Sequence, residues 1–496
     1  MNRILHLSLL FSLLGLTACG APAPAPTALT TLPPPLPSPT SAALASPVST
    51  DEPLPTPALE ERPVPFYRLD VTFDYAAHWL EVDESITYSN HTGETLPVLV
   101  LAVEPNLWPN CFSLSSLGVD GGAAEVRLNG QRMEVTLPQP LAPGETLNLS
   151  IHYSLALPQA EMFIDPNDQR PRIFGWMARQ TNLVNWYPFI VPYQPGQGWI
   201  LHEPYAYGEH LVYDVADYEV SLRFVGPAGE VPTASSGAAV AGDQATLYRL
   251  EKGRAFVFSF SPEYQVLSRQ VGGVTVYSYY FPLYQDRGEA VLRETSRALE
   301  LYARLFGPYP HATLTAVAAD FADGMEYSGL YFLSRDFYRT YTGTPQDYLT
   351  IIAVHETAHQ WWFELVGNDQ ALEPWLDEAL CTYSEHIFYE TYYPDLVDWW
   401  WYFRINLYSP SGWIDSPVSA TAGYEPYRRA IYLNGARFLE ELRGRIGDEA
   451  FFAFLADYAA RFRQGRATTP EFFALLRQHT RVDFSDIQAR YFLTSY

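Results

Sequence analysis

The sequence predicts a multidomain α+β protein: an N-terminal antiparallel β-sandwich-like domain followed by a domain that mixes strands and helices. Three observations carry that prediction. From Phe66 to about Gln265 apolar residues alternate with polar ones, as in Tyr67, Leu69, Val71 and Phe73 and again in Tyr218, Val220, Leu222 and Phe224, the period of strands with one buried face. Turn signals punctuate this stretch, among them Asn90-His91-Thr92-Gly93, Asp120-Gly121-Gly122 and Asn129-Gly130. From about Val271 the pattern changes to a short strand pair, a helix across Glu289–Leu305 stopped by Gly307-Pro308, strands around 313–333 and a largely helical remainder. The two domains are accordingly read as residues 66–265 and 266–496.

Ahead of them stands a different kind of sequence. Residues 1–18 combine Arg3, an apolar run from Ile4 to Leu16 and then small residues, the pattern of a secretory signal. The run is too short to span a bilayer. Leu16-Thr17-Ala18-Cys19 resembles a bacterial lipobox, which implies cleavage before Cys19 and a lipid on its thiol. Residues 19–65 are rich in Pro, Ala, Thr and Ser and read as an extended tether. The expectation is an exported chain, lipid-anchored through Cys19 at the bacterial cell surface or the outer face of a membrane. Cys111 and Cys381 remain, enough for one disulfide at most, and both read as buried free thiols. A net charge of −25, with Lys252 as the only lysine and no basic run, argues against a nucleic-acid partner. Asn185-Trp186-Tyr187-Pro188 reads as core or groove wall. No feature specifies an oligomeric state.

The chemistry concentrates in His355-Glu356-Thr357-Ala358-His359 and in Glu378, nineteen positions further on across an eighteen-residue gap. Positions i and i+4 share one helix face, so His355 and His359 can grip one Zn²⁺, with Glu378 as the third protein ligand. Glu356 follows the first histidine directly and is placed to act as general base. The surrounding helix is expected to start with Thr344 as N-cap and Pro345 at its first position, to run through Tyr348, Leu349, Ile351, Ile352 and Val354, and to end at Gly367-Asn368. A second helix starting at Trp375 after Pro374 returns Glu378 to the histidines.

At these residues the chain resembles the M1 family of zinc aminopeptidases, the gluzincins, which combine H-E-x-x-H, an eighteen-residue gap and a glutamate. The resemblance implies a thermolysin-like catalytic domain with one Zn²⁺ per chain. Asp323-Gly324-Met325-Glu326-Tyr327 is similar to the family's G-x-M-E-N segment on an edge strand. It implies that Glu326 binds the free α-amino group of a peptide substrate, a charge-assisted contact, with Gly324 and Met325 lining the substrate. The segment from Ala430 to Leu439 resembles the family's Y-x-K-G-A-x-x-L, with Asn434 where lysine is common; it implies that Tyr432 donates to the oxyanion. In larger members a glutamine or glutamate of the N-terminal domain also helps to bind the amine, and Gln180 and Glu203 lie in the corresponding region. The function implied is a zinc-dependent aminopeptidase acting on peptides with a free N-terminus. Two alternatives stand beside it: an endopeptidase on the same scaffold, and a cell-surface peptide-binding protein without catalysis.

Overall fold

The alternating apolar rows of the first half fold into one eight-stranded sheet. The computed structural model describes residues 63–160, 173–242, 244–322 and 324–496, so the signal sequence, Cys19 and nearly all of the tether lie outside the described residues, as does Asp323. The sheet runs in the order Ala238–Ala241, Thr246–Gly253, Ala216–Val225, Phe66–Asp74, Trp79–Ser89, Thr146–Ala156, Phe112–Val119 and Gly122–Ala123. It is antiparallel except at its centre, where Phe66–Asp74 pairs in parallel with Ala216–Val225, Leu69 opposite Val220. Parallel neighbours need a long connection, and the residues between these two strands supply it. Most of the strands of two four-stranded sheets are built there, including Leu96–Ala102, Arg132–Leu141 and Thr181–Leu183. The buried face of the large sheet packs on the smaller ones through aromatic contacts such as Phe73 on Phe260, with ring centroids 5.1 Å apart.

Past Phe260 the architecture changes as the sequence predicts. A five-stranded sheet runs Gln265–Val271, Val274–Tyr280, Thr313–Ala318, Leu330–Leu333 and Met325–Tyr327, which places Met325–Tyr327 on the edge. Helix Gln285–Phe306 is the crossover between its parallel strands Val274–Tyr280 and Thr313–Ala318. The protein is thus a multidomain α+β structure, with a sheet-rich N-terminal region and a largely helical, thermolysin-like C-terminal domain. Glu61–Tyr496 forms one compact unit. Among the described residues no helix is long and apolar enough to cross a membrane.

Two helix boundaries differ from the sequence expectation. The motif helix spans Tyr348–Ala358 and its N-cap is Asp347, not Thr344. The Asp347 carboxylate accepts from Leu349 N at 2.8 Å and Thr342 N at 3.0 Å, whereas the Thr344 hydroxyl is engaged with that of Thr342. Asp347 therefore satisfies a first-turn donor that Thr344 does not reach. The helix also ends well before Gly367-Asn368: past Ala358 the backbone turns, with Gln360 N and Trp361 N bonding carbonyls three residues back, and Val366–Gly367 pairs with Gly465–Arg466. The second helix, Trp375–Tyr392, begins after Pro374 as expected.

Arg254 joins the sheet-rich region to this domain. The side chain is buried and donates to three backbone carbonyls: Glu364 O at 2.9 Å, Tyr213 O at 3.0 Å and Gly465 O at 2.7 Å. A side chain on Gly367 would have its Cβ 2.6 Å from the guanidinium carbon, so only glycine lets the guanidinium lie flat against that backbone. The carboxylate of Glu364 in turn bonds His311 Nε2 at 2.6 Å and the Ser328 hydroxyl. Replacing Arg254 with Ala leaves three buried carbonyls without this donor, and is expected to cost about 3–5 kcal/mol of stability. The urea unfolding midpoint checks this; an unchanged midpoint would mean that the carbonyls find other donors.

Candidate metal centre

The two histidines are held by the neighbouring helix. Tyr302 on helix Gln285–Phe306 fixes the two site helices together, its hydroxyl lying 3.3 Å from Val354 O and 3.0 Å from Ser384 O. Trp361 and Trp362, just past the motif, are buried, and their indole N–H groups reach Gly307 O at 2.9 Å and the Ser384 hydroxyl at 3.1 Å. In that frame one ligand atom from each of His355, His359 and Glu378 falls within 4.8 Å of the others. His355 Nε2 is 3.1 Å and His359 Nε2 3.7 Å from Glu378 Oε2.

The other edge of each ring is spoken for. His355 Nδ1 is 2.8 Å from Glu385 Oε1, and His359 Nδ1 is 2.6 Å from Asp377 Oδ1. A carboxylate at Nδ1 fixes the tautomer that leaves Nε2 with a lone pair. In the neutral rings both lone pairs would lie toward the Glu378 carboxylate, a donor set and second shell that suit Zn²⁺. Glu385 is itself clamped: Arg404 Nε donates to its Oε2 and Arg404 Nη2 to its Oε1, each at 2.9 Å, and Trp400 Nε1 donates to Oε2 at 3.1 Å.

The remaining sequence-predicted residues gather at the same place. Glu326, on the edge strand, lies with Glu356 and His359 in a second set of ligand atoms within 4.8 Å. A Cβ on Gly324 would be 3.0 Å from Glu356 Oε1 and 3.6 Å from Ile352, so the strand backbone sits directly against the proposed base. Met325 is half-buried on the same strand. Gln360 pins the edge strand to the histidine helix by accepting from Gly329 N and donating to Tyr327 O, each at 3.0 Å. Tyr432 donates to Glu378 Oε1 at 2.5 Å. It gets there because Gly435, three residues on, packs against Ala379 so closely that a Cβ would lie 2.3 Å from that side chain. Asn434, where the family often has lysine, bonds Gly412 O at 2.9 Å and is accounted for by that contact.

Sequence reasoning missed several members of the site. Asp377 and Glu385 orient the rings, and Gln370 bridges Glu326 Oε1 at 3.0 Å and Asp377 Oδ2 at 2.6 Å. The N-terminal region contributes Glu209 rather than either residue weighed from the sequence. Gln180 is turned into a buried network with Ser259, Tyr264 and the Asp320 backbone, and Glu203 is exposed. At Glu209 burial, and then the charges of Glu326, Glu378 and Asp377, push the carboxyl well above its usual range. Cys381 is a buried free thiol, with Sγ 4.0 Å from Asp377 Oδ1, and Cys111 is likewise buried and free.

The profile of the Peptidase family M1 domain matches residues 291–491. In solved structures, the chain superposes on a mutant of the M1 zinc metallopeptidase from Deinococcus radiodurans with a TM-score of 0.61 at 20% identity, covering 88% of this chain and 95% of that one. A two-domain M1 zinc metallopeptidase mutant bound to L-tryptophan gives a TM-score of 0.60 at 20% identity over 84% of this chain and 91% of that one. The fold is that of the M1 zinc metallopeptidases.

The curated relatives match about two fifths of the chain. Aminopeptidase M1 of Arabidopsis thaliana is 28% identical over 38% of this chain and 23% of its own length. Endoplasmic reticulum aminopeptidase 2 of Homo sapiens is 27% identical over 41% and 23%. The match therefore spans about a quarter of these relatives. A TP0910 S1-like domain profile also matches residues 117–156; here those residues are strands shared between the eight-stranded sheet and a four-stranded one, not a separate body.

Without an ion, the cluster carries excess negative charge. Burial alone would lower the pKa of His355, but hydrogen bonds to Glu378 and Glu385 outweigh it and push the imidazole up to about 10. At neutral pH the ion-free centre therefore holds a proton where a metal ion would place its charge. Metal binding must displace it. Below pH 10 the proton competes, so affinity is expected to rise with pH, by about tenfold per unit for one displaced proton. Calorimetry in buffers of different ionisation enthalpy should show net proton release on Zn²⁺ binding at pH 7. Binding that releases none would contradict this charge balance.

Proposed function

We propose that this protein is a zinc-dependent aminopeptidase that removes N-terminal residues from peptides. The observation that carries this reading is the placement of Glu326. Its carboxylate shares a 4.8 Å cluster with Glu356 and with His359, so an ammonium bound there puts the first peptide bond at the histidines and no later bond.

His355, His359 and Glu378 would hold one zinc ion, which supplies Lewis-acid polarisation of the scissile carbonyl. Glu356 takes the proton of the attacking water and passes it to the leaving amine. Tyr432 donates its hydroxyl hydrogen to the developing oxyanion. Burial, followed by the charge of Glu378, raises its pKa well above the usual phenol, so it remains a donor at any working pH. Glu326 and Glu209 bind the substrate ammonium, with Gly324 and Met325 along the peptide. Burial pushes the Glu326 carboxyl up to about 7, the charges of Asp377 and Glu378 adding to that against His359. An arriving ammonium supplies the positive charge that ionises it. Relatives named as aminopeptidases, and a Deinococcus radiodurans M1 zinc metallopeptidase mutant bound to a Tyr-Ser-Ala substrate, support the same reading.

The zinc-loaded protein is expected to cleave aminoacyl-coumarins only when their amine is free. Glu356→Gln should lower kcat by about 10²–10⁴-fold, and Tyr432→Phe by about 10²–10³-fold, with zinc content unchanged in both. Equal cleavage of N-acetylated substrates would make the protein an endopeptidase, and no cleavage by zinc-loaded wild type would favour a peptide-binding role.

The reading extends to location. The pattern of residues 1–19 supports export and lipid attachment at Cys19, with residues 20–65 as tether. Expressed with its leader in a bacterial host, the wild type should partition with membranes, and Cys19→Ala should not; identical fractionation of the two would refute the anchor.

A further inference from the structure

The ring of Tyr432 stands between two others. It lies nearly parallel to the His355 imidazole, at 10° with centroids 6.1 Å apart. Tyr427 meets it nearly at right angles, at 78° with centroids 5.8 Å apart. Both are arrangements that aromatic rings favour. Tyr427 is fully buried, and its hydroxyl makes no hydrogen bond among the described residues. The ring, not the hydroxyl, accounts for its contacts here.

Tyr427 is itself held from the segment Leu201–Asp214, which forms neither strand nor helix. The Tyr207 ring packs on it with centroids 5.6 Å apart. Gly208, at a φ of +70°, comes so near that a Cβ there would lie 3.4 Å from Tyr427 and 3.0 Å from Val418. Both the conformation and the approach favour glycine. The Tyr207 hydroxyl donates to Thr421 O at 2.7 Å and accepts from Gly423 N at 3.2 Å. Gly423 O in turn accepts from Tyr427 N at 3.2 Å. Tyr207, Tyr427, Tyr432 and His355 thus form a continuous row of rings, from a segment of the sheet-rich region to the metal centre.

Tyr432 has reason to need such walls. It leaves a π-helical turn, Arg429–Leu433, and its hydroxyl donates to Glu378 Oε1 at 2.5 Å. Once Glu378 serves as a metal ligand, the same hydroxyl has to aim at an oxyanion beside it. The shift is small, and a ring free to swing further would lose its aim at the reacting atom. We infer that Tyr427 is a positioning residue for this reaction: its ring confines that of Tyr432 against His355, and Tyr207 and Gly208 hold Tyr427 in place. The segment 201–214 thereby acts on the oxyanion donor through two rings. This inference rests on the aminopeptidase reading, and the test separates the two.

Steady-state kinetics of full-length, zinc-loaded protein on alanyl- and leucyl-coumarin amides provide that test. Tyr427→Leu, which stays apolar but removes the ring, is expected to lower kcat about tenfold on both substrates. KM and zinc content should change less than about twofold. Tyr427→Phe, which restores the ring, should bring kcat back to within about twofold of wild type. Tyr207→Leu, at a half-buried position, should lower kcat about threefold in the same pattern. In a Tyr432→Phe background either leucine variant should add less than about twofold, since all act through one hydroxyl. If Tyr427→Leu does not fold, Tyr207→Leu and its coupling to Tyr432→Phe decide the matter. An unchanged kcat in the leucine variants, a loss in Tyr427→Phe equal to that in Tyr427→Leu, a loss confined to one substrate, or additivity with Tyr432→Phe would overturn the positioning role. Each of these would leave the aminopeptidase reading intact. A wild type that cleaves neither substrate would refute that reading, and the positioning role with it.

Discussion

Two imidazoles can share one ion only if both rings are prevented from turning. In this protein that condition is met by hydrogen bonds to the edges of the rings that face away from the ion. Asp377 holds His359, and Glu385 holds His355; both come from the helix that also supplies Glu378. One helix therefore provides a ligand and both orienting carboxylates, and its placement decides whether the centre exists. Tyr302 and Trp362 bond that helix to its surroundings, and Gly435 lets the Tyr432 helix come into contact with it at Ala379. Such outer contacts are worth having because a ring displaced by an ångström no longer aims its lone pair.

The second constraint is charge. Glu326, Glu356, Asp377 and Glu378 converge on a small buried volume in which like charges are costly. The centre answers with protonation at His355 and with raised carboxyl pKa values at Glu326 and Glu209. Such a site is complementary to two positive charges at adjacent positions. One matches a metal ion among nitrogen and oxygen ligands, the other an ammonium among oxygens alone. Gln370 sits between the two positions, bonding Glu326 on one side and Asp377 on the other, so occupancy of either changes the field at the other.

Much of this was legible in the sequence where the signal is local. The i, i+4 histidines, the eighteen-residue gap and the strand-forming run before Glu326 each depend on neighbours in the chain. So do the alternating rows of the first half, which the eight-stranded sheet reproduces. Glu385 was within reach of the same logic, since it lies two helical turns beyond Glu378 and so on the same face. Asp377 stood beside a named ligand. Other features were not legible because they are set by distant partners. The parallel pairing of Phe66–Asp74 with Ala216–Val225 depends on a connection of more than a hundred residues. Gln180 carried a plausible side chain in the corresponding region, but Ser259, Tyr264 and Asp320 claim it. Glu209 sits in a stretch with no period, where the nearby Tyr207 is held by residues two hundred places away.

Local geometry around the centre departs from regular helix at two places, Trp401–Ile405 and Arg429–Leu433, each a π-helical turn. Such turns are unfavourable relative to α-helix and recur at functional sites. Each carries one side chain to the metal cluster: Arg404 to Glu385 and Tyr432 to Glu378. The cost of a widened turn is offset where that side chain makes buried, charge-assisted bonds, and these two do. Arg404 donates to both oxygens of a carboxylate that would otherwise be buried beside Glu378 with only an imidazole and an indole for partners. Without it, Glu385 would tend to take a proton and lose its hold on His355. The helical irregularity is thus retained for the same reason as the rest of the shell: the orientation of a single ring depends on it.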